Sequence, residues 1–125
     1  MKPDSFELHL VTDRNLSLGR NLLDIVQAAV QGGVSVVQLR EKDCATREVV
    51  EFGRAVCSLL RQSSVPLLIN DRVDVALAVG ADGVHIGQSD MPYGDARRLL
   101  GPDAIIGLSV ESEADALAAE ALDVA

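Results

Sequence analysis

Gly33-Val34-Ser35-Val36-Val37-Gln38, echoed later by Gly80-Ala81-Asp82-Gly83-Val84-His85, is the pattern that sets the fold. Each copy reads as a helix end, a tight turn and the start of a strand. Glycine suits the left-handed residue that closes a helix, because an L side chain resists that conformation. The Val-rich run after it suits a strand buried on both faces.

Working outward, the same unit recurs along the chain. Phe6 to Thr12 is the first expected strand. Asn21 to Gln31 follows as a helix, with Leu22, Ile25, Val26, Ala29 and Val30 at spacings of three and four. Gly32 and Gly33 supply its end. Val34 to Arg40 is the second strand. Thr46 is the expected N-cap of a second helix, whose buried face is Val49, Phe52, Val56, Leu59 and Leu60. The third strand runs from Pro66 to Ile69, and a short helix, Val73 to Val79, ends at Gly80. Gly83 to Ile86, the helix Met91 to Leu100 and the strand Ala104 to Ser109 complete the alternation. Ser112 and Asp115 form a capping box for a last helix, Glu113 to Leu122. Strands apolar throughout, separated by crossover helices, mean a parallel sheet covered by helices.

The 125 residues allow one domain, residues 1–125, without a linker or low-complexity tract. With 11 Lys and Arg against 19 Asp and Glu, the chain is a poor general nucleic-acid binder, which needs clustered cations. No apolar run is long enough to cross a membrane. Met1-Lys2-Pro3-Asp4 opens without the apolar core of a secretory signal. Cys44 and Cys57 fit neither a disulfide scaffold nor a zinc motif, and read as reduced thiols of a cytoplasmic protein.

A parallel sheet is either doubly wound or a barrel. No G-x-G-x-x-G follows the first strand, which argues against a dinucleotide fold. Polar residues gather past the C-terminal ends of several strands, where barrel active sites lie. Along Val36-Val37-Gln38-Leu39-Arg40-Glu41-Lys42, side chains alternate. Gln38 and Arg40 share one face, joined by Lys42 if the chain stays extended, while Val37 and Leu39 turn toward the helices. Buried cations need an anion. Ile69-Asn70-Asp71-Arg72 and His85-Ile86-Gly87-Gln88-Ser89-Asp90 each end a strand with a carboxylate. Asp71 and Asp90 taken singly read equally well as helix caps, and His85 as a hydrogen-bonded core histidine. Gly107-Leu108-Ser109 ends the fifth strand with a hydroxyl. Together the set suits Mg²⁺-assisted handling of a phosphate or pyrophosphate, with the metal on one or two carboxylates and the cations on the remaining charge.

Four motifs then resemble the thiamine phosphate synthase family, in order and at compatible spacing from Leu8 to Val124. They are Gln38-Leu39-Arg40-Glu41-Lys42, Ile69-Asn70-Asp71-Arg72, Gly83-Val84-His85-Ile86-Gly87-Gln88-Ser89-Asp90 and Ile106-Gly107-Leu108-Ser109. The resemblance implies an α/β fold of the (β/α)8 TIM-barrel type, of which this chain supplies about five βα units, the N-terminal portion. It implies a transferase that joins hydroxymethylpyrimidine pyrophosphate to thiazole phosphate, giving thiamine phosphate and pyrophosphate by a dissociative route. By position, Asp71 and Asp90 would hold Mg²⁺. Gln38, Arg40 and Lys42 would line the pyrophosphate site, with Arg40 and Lys42 neutralising the leaving group. Asn70 and Ser109 would hydrogen-bond the same substrate. The family often has Tyr in the first strand, and here His9 takes that place against the pyrimidine. The later strands, which bind the thiazole phosphate in the family, are expected beyond Ala125, so this chain alone is expected to be inactive. Other readings are a thiazole tautomerase-like relative and a non-catalytic partial-barrel or binding module. The retained Asp71, Asp90 and Lys42 disfavour the tautomerase. Self-association as a homo-oligomer stays open.

Overall fold

The computed structural model describes residues 6–125. The reading of residues 1–4 as lacking a secretory signal lies outside the described residues. Five strands, β1 (His9–Val11), β2 (Val36–Leu39), β3 (Leu67–Asn70), β4 (Gly83–Ile86) and β5 (Ile105–Leu108), alternate with five helices. The helices are α1 (Leu22–Gln31), α2 (Thr46–Leu60), α3 (Val73–Val79), α4 (Tyr93–Leu100) and α5 (Glu113–Glu120). All pairings are parallel, and the spatial order is β1-β2-β3-β4-β5. That order never reverses. A doubly wound sheet must reverse at its switch point, so the winding is that of a barrel wall.

The two faces divide as strand alternation demands. Val37, Leu39, Leu67, Ile69, Val84, Ile86 and Ile106 join the main core with the helices. Val36, Leu68 and Ile105 form a second, smaller cluster on the opposite face, the barrel interior. Gln38 follows Val36 on that inner face and is buried. Two glycines make the wall possible there. A Cβ on Gly83 would collide with the Ile105 backbone, and one on Gly107 with the His85 ring.

Several helix ends match the expectations from sequence. Gly33 takes φ +104° and Gly80 φ +71°. Val34 N–H then reaches Ala29 O at 3.1 Å, and Ala81 N–H reaches Ala76 O at 3.0 Å. Both are the six-to-one bond of a Schellman end. Gly32, by contrast, stays right-handed. Asn21 caps α1 by accepting from Leu23 N–H at 2.9 Å. Ser112 accepts from Asp115 N–H at 3.1 Å, as a capping box requires.

Several boundaries differ. Thr46 is the first residue of α2 and not its cap. Ala45 is extended and occupies the cap position without a side-chain bond, while the Thr46 hydroxyl accepts from Arg72 Nη2 at 3.3 Å. Helix α4 starts at Tyr93, because a residue before proline avoids helical angles and Pro92 is itself extended. Strands β1 and β2 are shorter than their apolar runs, since a ladder extends only where a neighbour supplies partners.

Candidate functional site

The polar groups that end the strands come together on one rim. Inside the wall, Asn70 Nδ2 donates to Gln38 Oε1 at 3.0 Å, and Gln38 Nε2 lies 3.5 Å from His9 Nε2. This row spans β1, β2 and β3. On the other side, His85 Nε2 lies 2.8 Å from Ser109 Oγ, linking β4 to the end of β5. Asn70 and His85 are register partners in the ladder, so the two polar pairs lie on adjacent strands. Burial pushes the pKa of His85 below its ordinary value, with His9 adding to the effect and Asp90 opposing it. His9 is lowered by burial too. The room for the His85 ring exists because residue 107 has no side chain.

Asp71 follows β3 in a left-handed conformation, φ +63°, which an Asp tolerates better than most residues. Its N–H donates to His85 O at 2.8 Å, and Arg72 N–H closes the turn onto Asn70 O at 2.6 Å. Asp90 is braced by Gly87 N–H, which donates to its Oδ2 at 2.7 Å. Neither carboxylate caps a helix. The cap positions belong to Arg72 and Pro92, which make no side-chain cap bond. Instead the Asp90 charge acts on Asp71. Desolvation, then the Asp90 charge and a side-chain hydrogen bond with Asp90, raise the Asp71 pKa, while Arg72 and Lys42 pull it down. Two carboxylates near enough to influence each other suit a cation. Among the described residues no three of His, Cys, Asp and Glu cluster for a metal. A two-carboxylate set with oxygen donors only fits Mg²⁺, which keeps waters and takes substrate phosphate oxygens, and does not fit a structural zinc.

Lys42 stands between two cavities at the rim. It lies in the turn after β2, so the strand does not stay extended as far as Lys42. It lines a cavity of about 310 Å³ with Asn70, Asp71 and Arg72. It also lines a neighbouring cavity of about 270 Å³ with Arg40, Arg14 and Asn15. Among the described residues neither Arg40 nor Lys42 forms an ion pair. Lys42 thus shares one cavity with Asp71 and another with Arg40, while Asp90 lines a separate cavity with Gly87, Gln88 and Met91.

Glu41 and Thr12 are elements that the sequence reading did not single out. The Glu41 side chain is only 2% exposed, and it accepts from Thr12 Oγ1 at 2.8 Å and from Arg14 N–H at 3.0 Å. Gln88 Nε2 similarly donates to Ser109 O at 2.8 Å. Their only trace in the sequence is a polar residue at the end of an apolar run. Cys44 and Cys57 are both unpaired, and burial raises both thiol pKa values.

Known proteins share this sequence and shape. A family model described as Thiamine monophosphate synthase matches residues 8–125. Thiamine-phosphate synthase of Solidesulfovibrio magneticus is 57% identical over 121 residues, covering 95% of this chain and 57% of that protein. Thiamine-phosphate synthase of Syntrophomonas wolfei is 53% identical over 116 residues, covering 93% of this chain and 56% of that protein. Among solved structures, thiamine phosphate pyrophosphorylase from Pyrococcus furiosus superposes with a TM-score of 0.86 at 40% identity. It covers 95% of this chain and 57% of that one. The chain thus spans little more than half the length of the curated relatives it matches, and its fold is the barrel type with five βα units present. On the family match along nearly its whole length, the chain belongs to the thiamine monophosphate synthase family.

Proposed function

We propose that the protein to which these residues belong condenses hydroxymethylpyrimidine pyrophosphate with thiazole phosphate, giving thiamine phosphate and pyrophosphate. Residues 1–125 are read as one domain, the N-terminal portion of its barrel, carrying the pyrophosphate and metal half of the site. The observation that carries this reading is the placement of Asp71, Asn70 and Lys42 on one cavity, with the Asp90 charge near enough to raise the Asp71 pKa.

In this reading Asp71 and Asp90 hold Mg²⁺. When bound, the metal supplies charge neutralisation of the pyrophosphate oxygens. Arg40 and Lys42 bind the same group. The bond from the pyrimidine methylene carbon to the pyrophosphate oxygen breaks first, and its electron pair leaves with the oxygen. Negative charge therefore grows on the leaving group in the transition state, and cations fixed in place favour that state over the ground state. The thiazole nitrogen then donates its lone pair to the methylene cation. Ionisation needs no general base. Gln38, Asn70 and Ser109 hydrogen-bond the pyrimidine substrate, and His9 faces its ring.

The substrates are small molecules. No helix among the described residues is long and apolar enough to cross a membrane. A cytoplasmic location is part of the same proposal. The test is pyrophosphate release by the full-length protein with both substrates, with and without Mg²⁺. Metal-dependent release coupled to thiamine phosphate formation is expected. Release at equal rates after chelation would overturn the metal assignment, and no product at all would overturn the transferase.

A further inference from the structure

We infer that Glu41 is a positioning residue, which holds Arg40 and Lys42 in place through a closed hydrogen-bond relay to the end of β1. The inference rests on the pyrophosphate reading of those two cations.

Glu41 stands between them in sequence, and its side chain is almost wholly buried at 2% exposure. A buried carboxylate is costly unless its oxygens are satisfied. Here both oxygens are taken. Oε2 accepts from the Thr12 hydroxyl at 2.8 Å, and Oε1 from Arg14 N–H at 3.0 Å, with Arg14 Nε at 3.9 Å. The Thr12 hydroxyl spends its single proton on Glu41 and offers a lone pair to Arg40 N–H at 3.1 Å. Thr12 N–H in turn donates to Gln38 O at 2.9 Å. The ring therefore runs Arg40, Thr12, Glu41 and back along the chain to Arg40. It staples the tip of β1 to the tip of β2 at the residue that carries the guanidinium.

The charges are arranged to the same end. Arg14 answers the Glu41 carboxylate, and Arg14 Nη1 also reaches Glu48 on α2 at 3.3 Å. With Arg14 as its cation, Glu41 leaves Arg40 and Lys42 for an incoming anion. The neighbours on either side of an anchored residue inherit its position, and a shift of about 1 Å in a charged clamp can cost on the order of a hundredfold in rate.

The experiment titrates inorganic pyrophosphate with Mg²⁺ into the full-length protein by calorimetry, beside steady-state kinetics and thermal melts. Glu41→Ala is expected to weaken pyrophosphate binding about tenfold or more and to raise KM for the pyrimidine substrate. Thr12→Val is expected to give a smaller loss in the same direction, and the double variant no more than Glu41→Ala alone, because both cut one relay. Glu41→Gln keeps an acceptor for Thr12 and is expected to recover part of the affinity. A folded Glu41→Ala protein that melts lower but binds pyrophosphate like the wild type would make the residue merely structural and overturn the inference. If Glu41→Ala does not fold, unchanged binding in Thr12→Val overturns it. Arg40→Ala separates the two levels. Wild-type pyrophosphate affinity there sinks both the reading and the inference. Loss there with no loss in the relay variants sinks the inference alone.

Discussion

Asp71 N–H donates to the His85 carbonyl at 2.8 Å, tying the turn after β3 to the end of β4, and the charge of Asp90, on the loop after β4, raises the Asp71 pKa. Their chains arrive from opposite constraints. Asp71 is held in a left-handed turn, and Asp90 is tied back to Gly87 N–H at 2.7 Å. Two neighbouring carboxylates repel each other, and the metal role proposed for the pair rests on that.

Removing one charge of this pair separates metal binding from folding. Asp71→Asn and Asp90→Asn in the full-length protein are each expected to lower Mg²⁺-dependent turnover by about a hundredfold or more, with folding retained. The metal-free protein also changes in a defined direction. The Asp71 pKa is raised above 3.8, so the folded state holds its proton longer than the unfolded one, and metal-free stability falls as pH rises past that value. Asp71→Asn removes that fall. Thermal melts with and without Mg²⁺ check both points: Mg²⁺ raises the wild-type Tm and leaves the variants' Tm nearly unmoved. Wild-type rates in both variants would reduce the carboxylates to loop braces.

Arg40 and Lys42 make no ion pair among the described residues, so neutralising either breaks none, although loss of Lys42 removes a charge that lowers the Asp71 pKa. Arg40→Gln and Lys42→Gln are each expected to reduce kcat/KM by roughly a hundred- to a thousandfold, with melting temperature little changed. Pyrophosphate release under saturating Mg²⁺ measures the first, and calorimetric melting the second. A large fall in Tm would mean the cations serve the fold.

Gly107→Ala places a methyl group against the His85 imidazole. The ring must turn, which breaks its 2.8 Å contact with Ser109. A loss of about 1–3 kcal/mol is expected from overpacking. Gly83→Ala should cost more, because its methyl meets the Ile105 backbone, which a sheet cannot move aside. Chemical denaturation of both variants gives the ranking, and equal stabilities would show that the wall is looser than drawn.

His85 titrates below its ordinary value chiefly because burial disfavours the imidazolium. The unfolded chain therefore takes up a proton first as pH falls below about 6.5. Stability contributed by this residue is complete above that pH and is lost as pH drops through the window beneath it. His85→Gln should flatten that part of the stability profile between about pH 7 and 5, as read by urea midpoints at each pH. An unchanged slope would place the acid sensitivity elsewhere.

Much of this protein was legible before any coordinates. The 3.6-residue period of α1, the Val-rich run Val36-Val37 and the glycines Gly33 and Gly80 specify element type and order. Each depends on local sterics or on a face being apolar, and both are properties of a short segment. The capping role of Ser112 was readable for the same reason. Tertiary structure alone decided which polar residues serve the rim. Asp71 and Asp90 each look like caps within their own segments, and their relation exists only because β3 and β4 are adjacent. Lys42, in a turn, lines the same cavity as Asp71, and Glu41 is buried because Thr12 and Arg14 come to it from the segment after β1. Sequence specifies what each segment prefers by itself. Contacts between groups tens of residues apart are set by the order and twist of the strands that carry them, and no short window of sequence contains that information.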